Sequence, residues 1–149
     1  MRIRAALPAL AGAVALTGTF LSTPAQAAGG VTIYRVYFDS PGTDNRSNAS
    51  LNAEWVQIKN TSSSTISLKN WTLLDASRHK YTFLDVKIGA GSTKKVRTGS
   101  GSDTAANKYQ DRGAYVWNNT SDTATLYKSS GTKADSCSWT TRDPSDKYC

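Results

Sequence analysis

The apolar residues of this 149-residue chain come in short runs in which apolar and polar positions alternate. A period of two is typical of β-strands that bury one face, whereas a helix needs apolar positions about 3.6 residues apart, and no stretch sustains that spacing. Gly, Asn, Asp and Ser residues separate the runs at intervals of about 8–12 residues, which indicates an all-β sandwich. The longest polar segment, 99–113, is predicted to be a loop with local structure of its own. The predicted strands are residues 31–38, 54–59, 66–68, 71–74, 81–83, 86–88, 93–98, 114–117, 123–127 and 134–139.

The N-terminal segment has the three parts of a secretory signal peptide. A short basic region precedes an apolar, uncharged run over residues 5–21, and Ala25 and Ala27 supply the small residues of a cleavage site. The alternative is a membrane anchor, but a run of about 17 residues is at the lower limit for spanning, and no basic stop follows it. We therefore predict that 1–27 is cleaved and that 28–149 is secreted as a single domain without a membrane span.

The two cysteines, Cys137 and Cys149, both lie near the C-terminus. In an oxidising compartment an even number of cysteines indicates a disulfide, here one that holds the C-terminal tail against the last strand. A loop of this size predicts a stabilisation of roughly 2–3 kcal/mol. Intermolecular pairing and two free thiols are the alternatives. Two thiolates without further Cys or His ligands are too few for a structural zinc site.

Several segments resemble, in sequence and in order, the lamin tail domain family. They are EWVQIKN at 54–60, WTLLD at 71–75, YTF at 81–83, GSTKKVRTGSG at 91–101 and WNNTSDTATL at 117–126. The resemblance extends over about residues 31–140, and Asn70 stands where the family usually has Gly. It implies an immunoglobulin-like β-sandwich, a binding role, no catalytic residues, no cofactor and no single ligand. The chain is similar to secreted, stand-alone bacterial members of this family.

Three carboxylates form a candidate cation site. Asp39 and Asp44 lie in one short turn-rich segment and Glu54 begins the second predicted strand, and Ca²⁺ prefers such oxygen ligands. Ordinary turn chemistry accounts equally well for the two aspartates. A carboxylate at the start of a strand, as Glu54 is, also serves to cap backbone N–H groups or to pair with a cation.

Basic residues suggest a polyanion-binding surface. The chain has 18 Lys+Arg against 11 Asp+Glu, for a net charge of +7. Alternation places Lys95 and Arg97 on one face of their strand and Lys94 on the other, and Lys108 and Arg112 lie in the long loop. DNA or a cell-wall polymer would be attracted to such a surface. The alternative is that these charges protect an edge strand from aggregation.

Two classes of function follow from these residues. The favoured one is a non-catalytic secreted binding module whose partner is a cell-envelope polymer, a nucleic acid or another secreted protein. Aromatic residues on outward strand positions would then stack on sugars or bases. The alternative is a small secreted metal-dependent hydrolase or nuclease that uses Asp39, Asp44 and Glu54. No convergent set of titratable residues supports catalysis, and the single histidine, His79, is expected to be exposed and without a role.

Overall fold

The structure is a computed structural model that describes residues 29–149, so the predicted signal peptide lies outside the described residues. No helix in the described part is both long and apolar enough to cross a membrane. Its elements are β1 (Val31–Tyr37), α1 (Asn48–Ala53), β2 (Trp55–Asn60), β3 (Ile66–Ser67), β4 (Thr72–Leu74), β5 (Lys80–Thr82), β6 (Lys87–Ile88), β7 (Thr93–Arg97), β8 (Asn107–Tyr109), β9 (Ser121–Tyr127), β10 (Lys133–Thr140) and β11 (Asp146–Tyr148).

The strands form two main sheets that pack face to face. One is five-stranded in the order β11-β1-β2-β7-β8, the other is four-stranded in the order β10-β9-β4-β5, and β3 and β6 form a separate pair. All neighbouring strands are antiparallel except β7 and β8. This arrangement confirms the predicted immunoglobulin-like β-sandwich.

The core lies between the sheets and follows from the alternation of the strands. Val56 and Ile58 on β2 are fully buried, as their shared face predicts. From the other sheet Leu126 is equally buried, and Trp139 stacks on Phe38 with ring centroids 4.9 Å apart. Burial of these aliphatic and aromatic side chains supplies the main favourable term in folding.

Three elements, α1, β8 and β11, were not predicted, and one predicted strand is wrong. The helix α1 has six residues, too few to show a helical period, and Ser47 caps its start by accepting a hydrogen bond from Ser50 N at 3.2 Å. The long loop contains β8, which covers β7, so β7 is not the edge strand that one interpretation of its charges required. Residues 114–117 form no strand, because the backbone of Val116 donates to a buried carboxylate instead.

The C-terminal tail connects the two sheets. Cys137 on β10 and Cys149 form a disulfide with Cα atoms 5.8 Å apart. The tail strand β11 pairs with β1 rather than with β10, and Cys149 N donates to Tyr34 O at 3.0 Å. The disulfide therefore holds the tail at the last predicted strand, as expected. Because β11 pairs with β1, the bond also joins an edge of one sheet to an edge of the other.

Candidate ligand-binding face

The outer face of the five-stranded sheet carries a cluster of positive charges and aromatic rings. We call it the cationic face. Asp146 is the one acidic residue at its outward positions within residues 29–149, so the face has a net positive charge. Its side chains belong to Tyr34, Arg35, Tyr37, Trp55, Lys59, Lys95, Arg97, Asp146 and Tyr148.

Trp55 positions two cations near the middle of this face. Lys95 Nζ lies 4.0 Å, and Arg35 Cζ 5.6 Å, from the centroid of the Trp55 ring. Both residues lie opposite Gln57 in the sheet register, one on each side of β2. A cation over an aromatic ring gains about 0.5–1 kcal/mol at an exposed site, which helps to hold two like charges on flanking strands. Burial, followed by repulsion from Arg97 and Arg35, lowers the pKa of Lys95.

Asp146 offsets the charge of one of these cations. The Nε and Nη2 atoms of Arg35 donate to the two carboxylate oxygens of Asp146. The same guanidinium lies 4.6 Å from the ring centroid of Tyr148, on the same tail strand. Arg35 is therefore fixed by β11, and the tail strand determines how much of its charge reaches solvent.

The other three cations of the face lack a carboxylate partner. Among the described residues, no acidic group lies within ion-pair distance of Lys59, Lys95 or Arg97. Arg97 instead donates to Asn107 Oδ1 at 2.8 Å and to Asn52 O at 2.7 Å, which ties β8 and the end of α1 to β7. Of the four cations of the face, Arg35 and Arg97 make side-chain hydrogen bonds within residues 29–149, and Lys59 and Lys95 make none.

Of the five basic residues predicted to bind a polyanion, only Lys95 and Arg97 lie on the cationic face. Lys94 points to the opposite side of β7, where it is buried and its Nζ donates to Ala105 O at 2.6 Å. Lys108 lies 3.7 Å from Asp103 and its side chain is 12% exposed. Arg112 donates to a backbone carbonyl of β5. The structure therefore does not bring these three together with the predicted pair.

Sequence reasoning missed six residues of the face: Tyr34, Arg35, Tyr37, Lys59, Asp146 and Tyr148. Strict alternation along β1 would place Arg35 inside with Ile33, but the register shifts between these two residues and turns Arg35 outward. Alternation places Lys59 on the same strand face as Trp55, which by itself indicates no functional role. The only sequence signal for Tyr148 was its position next to the final cysteine.

Glu54 is a buried structural carboxylate rather than an open site residue. Its Oε1 accepts hydrogen bonds from Thr98 Oγ1 at 2.6 Å, Val116 N at 2.9 Å and Trp117 N at 3.3 Å. Its Oε2 is buried and has no partner. Burial raises the pKa of Glu54 to about 7, although the three hydrogen bonds act in the opposite direction. Glu54 therefore caps backbone N–H groups, which is one of the two structural roles expected from the sequence.

The three candidate metal ligands do not converge. Asp44 accepts hydrogen bonds from Ser40 Oγ at 3.3 Å and from Asn119 Nδ2 at 3.1 Å, in an exposed loop. Glu54 points into the fold towards its backbone donors. Residues 29–149 contain no group of three His, Cys, Asp or Glu side chains arranged to hold a metal ion. The expected set of Asp39, Asp44 and Glu54 is thus not assembled.

His79 is paired, contrary to the expectation that it would have no role. Its Nδ1 lies 2.6 Å from Asp75 Oδ2, and its backbone N–H donates to Asp75 Oδ1 at 2.6 Å. The imidazole is 49% exposed and lines a cavity of about 390 Å³ together with Arg112 and Tyr115. The pair closes the turn that joins β4 to β5.

These features define a small β-sandwich with cationic and aromatic side chains on the outer face of its five-stranded sheet. A family model described as the Lamin Tail Domain matches residues 24–141. The chain therefore belongs to the lamin tail domain family, an immunoglobulin-like fold. No individual curated protein matches the chain.

Proposed function

We propose that this chain is an exported, non-catalytic binding module, and that its cationic face binds a polyanion. The observation that carries the proposal is the presence of Lys59, Lys95 and Arg97 on one flat surface without acidic partners. A surface of one sign raises the local concentration of oppositely charged polymers and speeds their association. Cell-envelope polymers and nucleic acids both fit this description.

Export rests on the predicted leader and on the disulfide. Disulfides persist in oxidising compartments, which fits a protein that leaves the cytoplasm. Intact-mass analysis of the secreted protein tests this step, with residue 28 expected as the first residue. A species in the membrane fraction that retains residues 1–27 would contradict it.

A binding role is favoured over catalysis because the titratable groups serve the fold. Glu54 is fully buried against backbone donors, and His79 is engaged by Asp75. No Ser, Thr or Cys side chain in the described part of the chain is hydrogen-bonded to His79. A nucleophile within reach of a base is the arrangement that acyl or phosphoryl transfer by this histidine would require.

The test compares two charge reversals of equal size. Lys59→Glu/Lys95→Glu removes the two cations that have no hydrogen-bonded role on the face, and Lys128→Glu/Lys133→Glu changes two exposed lysines next to the β9–β10 hairpin. Binding to immobilised polyanions is measured at several salt concentrations around about 0.15 M, where the Debye length is about 8 Å.

We expect saturable binding by the wild type that weakens with salt, the log–log slope for duplex DNA being about −0.9 per phosphate contact. The face variant should show weaker binding and a flatter slope, whereas the hairpin variant should resemble the wild type. Equal losses in both variants would mean that net charge alone attracts the polymer. The absence of saturable binding at about 0.15 M salt would remove the proposal.

A further inference from the structure

We infer that the polyanion is an acidic polysaccharide whose carboxylate is carried by the sugar ring, as in a polyuronate. The inference rests on the proposed function of the cationic face and specifies its ligand. It comes from the aromatic rings of the face, which charge attraction alone does not require.

Two tyrosines give the face open aromatic surface at the edge of the sheet. Tyr148 is 59% and Tyr34 is 38% exposed, and both belong to the small group of large hydrophobic residues exposed in the described chain. Their rings form an edge-to-face pair with centroids 5.5 Å apart. Exposed aromatic residues with a polar hydroxyl are suited to the apolar faces and hydroxyl groups of sugars. A linear polyol phosphate has no ring that would make use of them.

A cation lies over one face of each of these rings, and of the two cations Lys59 has no carboxylate partner whereas Arg35 is paired with Asp146. Lys59 Nζ lies 5.0 Å from the centroid of the Tyr34 ring, and Arg35 Cζ lies 4.6 Å from that of Tyr148. A ligand that contacts a tyrosine and pairs with the adjacent cation must carry its anionic group close to its own ring. A uronate does so because its carboxyl carbon is bonded directly to the pyranose ring. In a nucleotide the ribose separates the phosphate from the base, so the ring and the charge are farther apart.

The middle of the face offers a shallow depression and neutral hydrogen-bonding groups. The depression measures about 310 Å³, and its charged lining consists of Arg35, Lys95 and Asp146, of which Arg35 and Asp146 are paired with each other. Trp55 is among the remaining lining residues. This volume is at the lower end of the size range of small-ligand sites and suits a single sugar unit. Outside the depression, Gln57 and Thr93 lie on outward positions of β2 and β7 and are joined by a hydrogen bond of 3.1 Å. Their amide and hydroxyl groups can bond sugar hydroxyls.

The test measures binding of the mature chain to polygalacturonate at about 0.15 M salt. The comparison ligands are fully methyl-esterified polygalacturonate, inorganic polyphosphate and single-stranded poly(dT). Tyr34→Leu and Tyr148→Leu remove the open rings. Tyr127→Leu, on the outer face of the other sheet, is the matched control, and thermal unfolding verifies that each variant is folded.

We expect polygalacturonate to bind more tightly than polyphosphate or poly(dT), and the esterified polymer to lose binding. Each tyrosine change on the face should weaken polygalacturonate binding by about two- to tenfold, and the Tyr127 change should not. If polyphosphate or poly(dT) binds as tightly as polygalacturonate and still depends on Lys59 and Lys95, the inference fails while the proposed function stands. If none of these polyanions binds saturably, the proposed function itself fails.

Discussion

Lys95 Nζ lies 4.0 Å from the centroid of the Trp55 ring, on the outer face of the sheet. Trp55 is 7% exposed because the cations of both flanking strands cover its ring. Trp55 lies at an outward strand position, but its ring is occupied by contacts within the protein. Its role in the structure is to place positive charge on the surface, and the open rings lie further out, at the β1–β11 edge.

The first prediction measures this contact by a double-mutant cycle. Trp55→Leu removes the ring and Lys95→Met removes the charge while keeping an apolar stem. We expect the two changes to be coupled by about 0.5–1 kcal/mol in the free energy of unfolding, because only the wild type has the cation over the ring. Urea unfolding of the four proteins gives the coupling. Additive effects would show that the contact contributes nothing to stability.

The second prediction concerns Glu54 and pH. Because the folded-state pKa is about 7 and the ordinary value is 4.5, the folded protein binds this proton more tightly than the unfolded chain. The stability linked to Glu54 is therefore fully present below pH 4.5 and is lost as the pH rises through about 7. The shift corresponds to on the order of 3 kcal/mol.

Glu54→Gln isolates this effect. The side-chain oxygen of glutamine can still accept from Thr98 and Val116, but it does not ionise. We expect the difference in unfolding free energy between variant and wild type to grow in favour of the variant between pH 4.5 and 7. Glu54→Ala should be destabilised at every pH, since its buried donors would lose their acceptor. A difference between Gln variant and wild type that stays constant with pH would refute the assignment.

The third prediction concerns the disulfide. Cys137→Ser/Cys149→Ser should lower the free energy of unfolding by roughly 2–3 kcal/mol and leave the fold intact, because the sandwich has its own core. The loss should begin locally, with faster amide hydrogen exchange in β11 than in β1 or β2. Peptide mapping without reduction checks the pairing in the wild type. Free alkylation of both cysteines in the native protein would contradict it.

Sequence patterns predict most of the strands and the core, but only part of the cationic face. Val56 and Ile58 are buried as alternation requires, because alternation is a local property of a strand. The Arg35–Asp146 pair joins residues 111 positions apart and depends on a tail strand that no pattern indicated. Of the cations on the face, the sequence therefore predicted a ligand-binding role only for Lys95 and Arg97. Strand alternation alone determines on which side of the sheet these two side chains lie.

Buried polar residues set a second limit. The sequence predicts a capping or ion-pairing role for Glu54, but its full burial depends on donors from segments 44 and 62 positions away. The same donors explain why residues 114–117 are not a strand. A polar side chain that organises distant backbone has no local period, so periodicity cannot reveal it.

The last prediction uses Asn70, which stands where the family usually has Gly. Its φ is +63°, a left-handed conformation that Gly adopts freely and that Asn tolerates better than most residues. Its backbone N–H donates to Phe83 O at 2.9 Å, which fixes the turn before β4. Asn70→Ala should lower the free energy of unfolding by about 1 kcal/mol relative to Asn70→Gly, since a Cβ in this region costs about 1–2 kcal/mol.

Urea unfolding compares the two variants, and the same exchanges at Lys69 serve as a control. Lys69 has no positive φ, so Lys69→Ala should be at least as stable as Lys69→Gly. If Gly is the more stable replacement at position 70 but not at position 69, the backbone conformation of Asn70 is the cause. Equal stability of Asn70→Ala and Asn70→Gly would overturn this account of the turn.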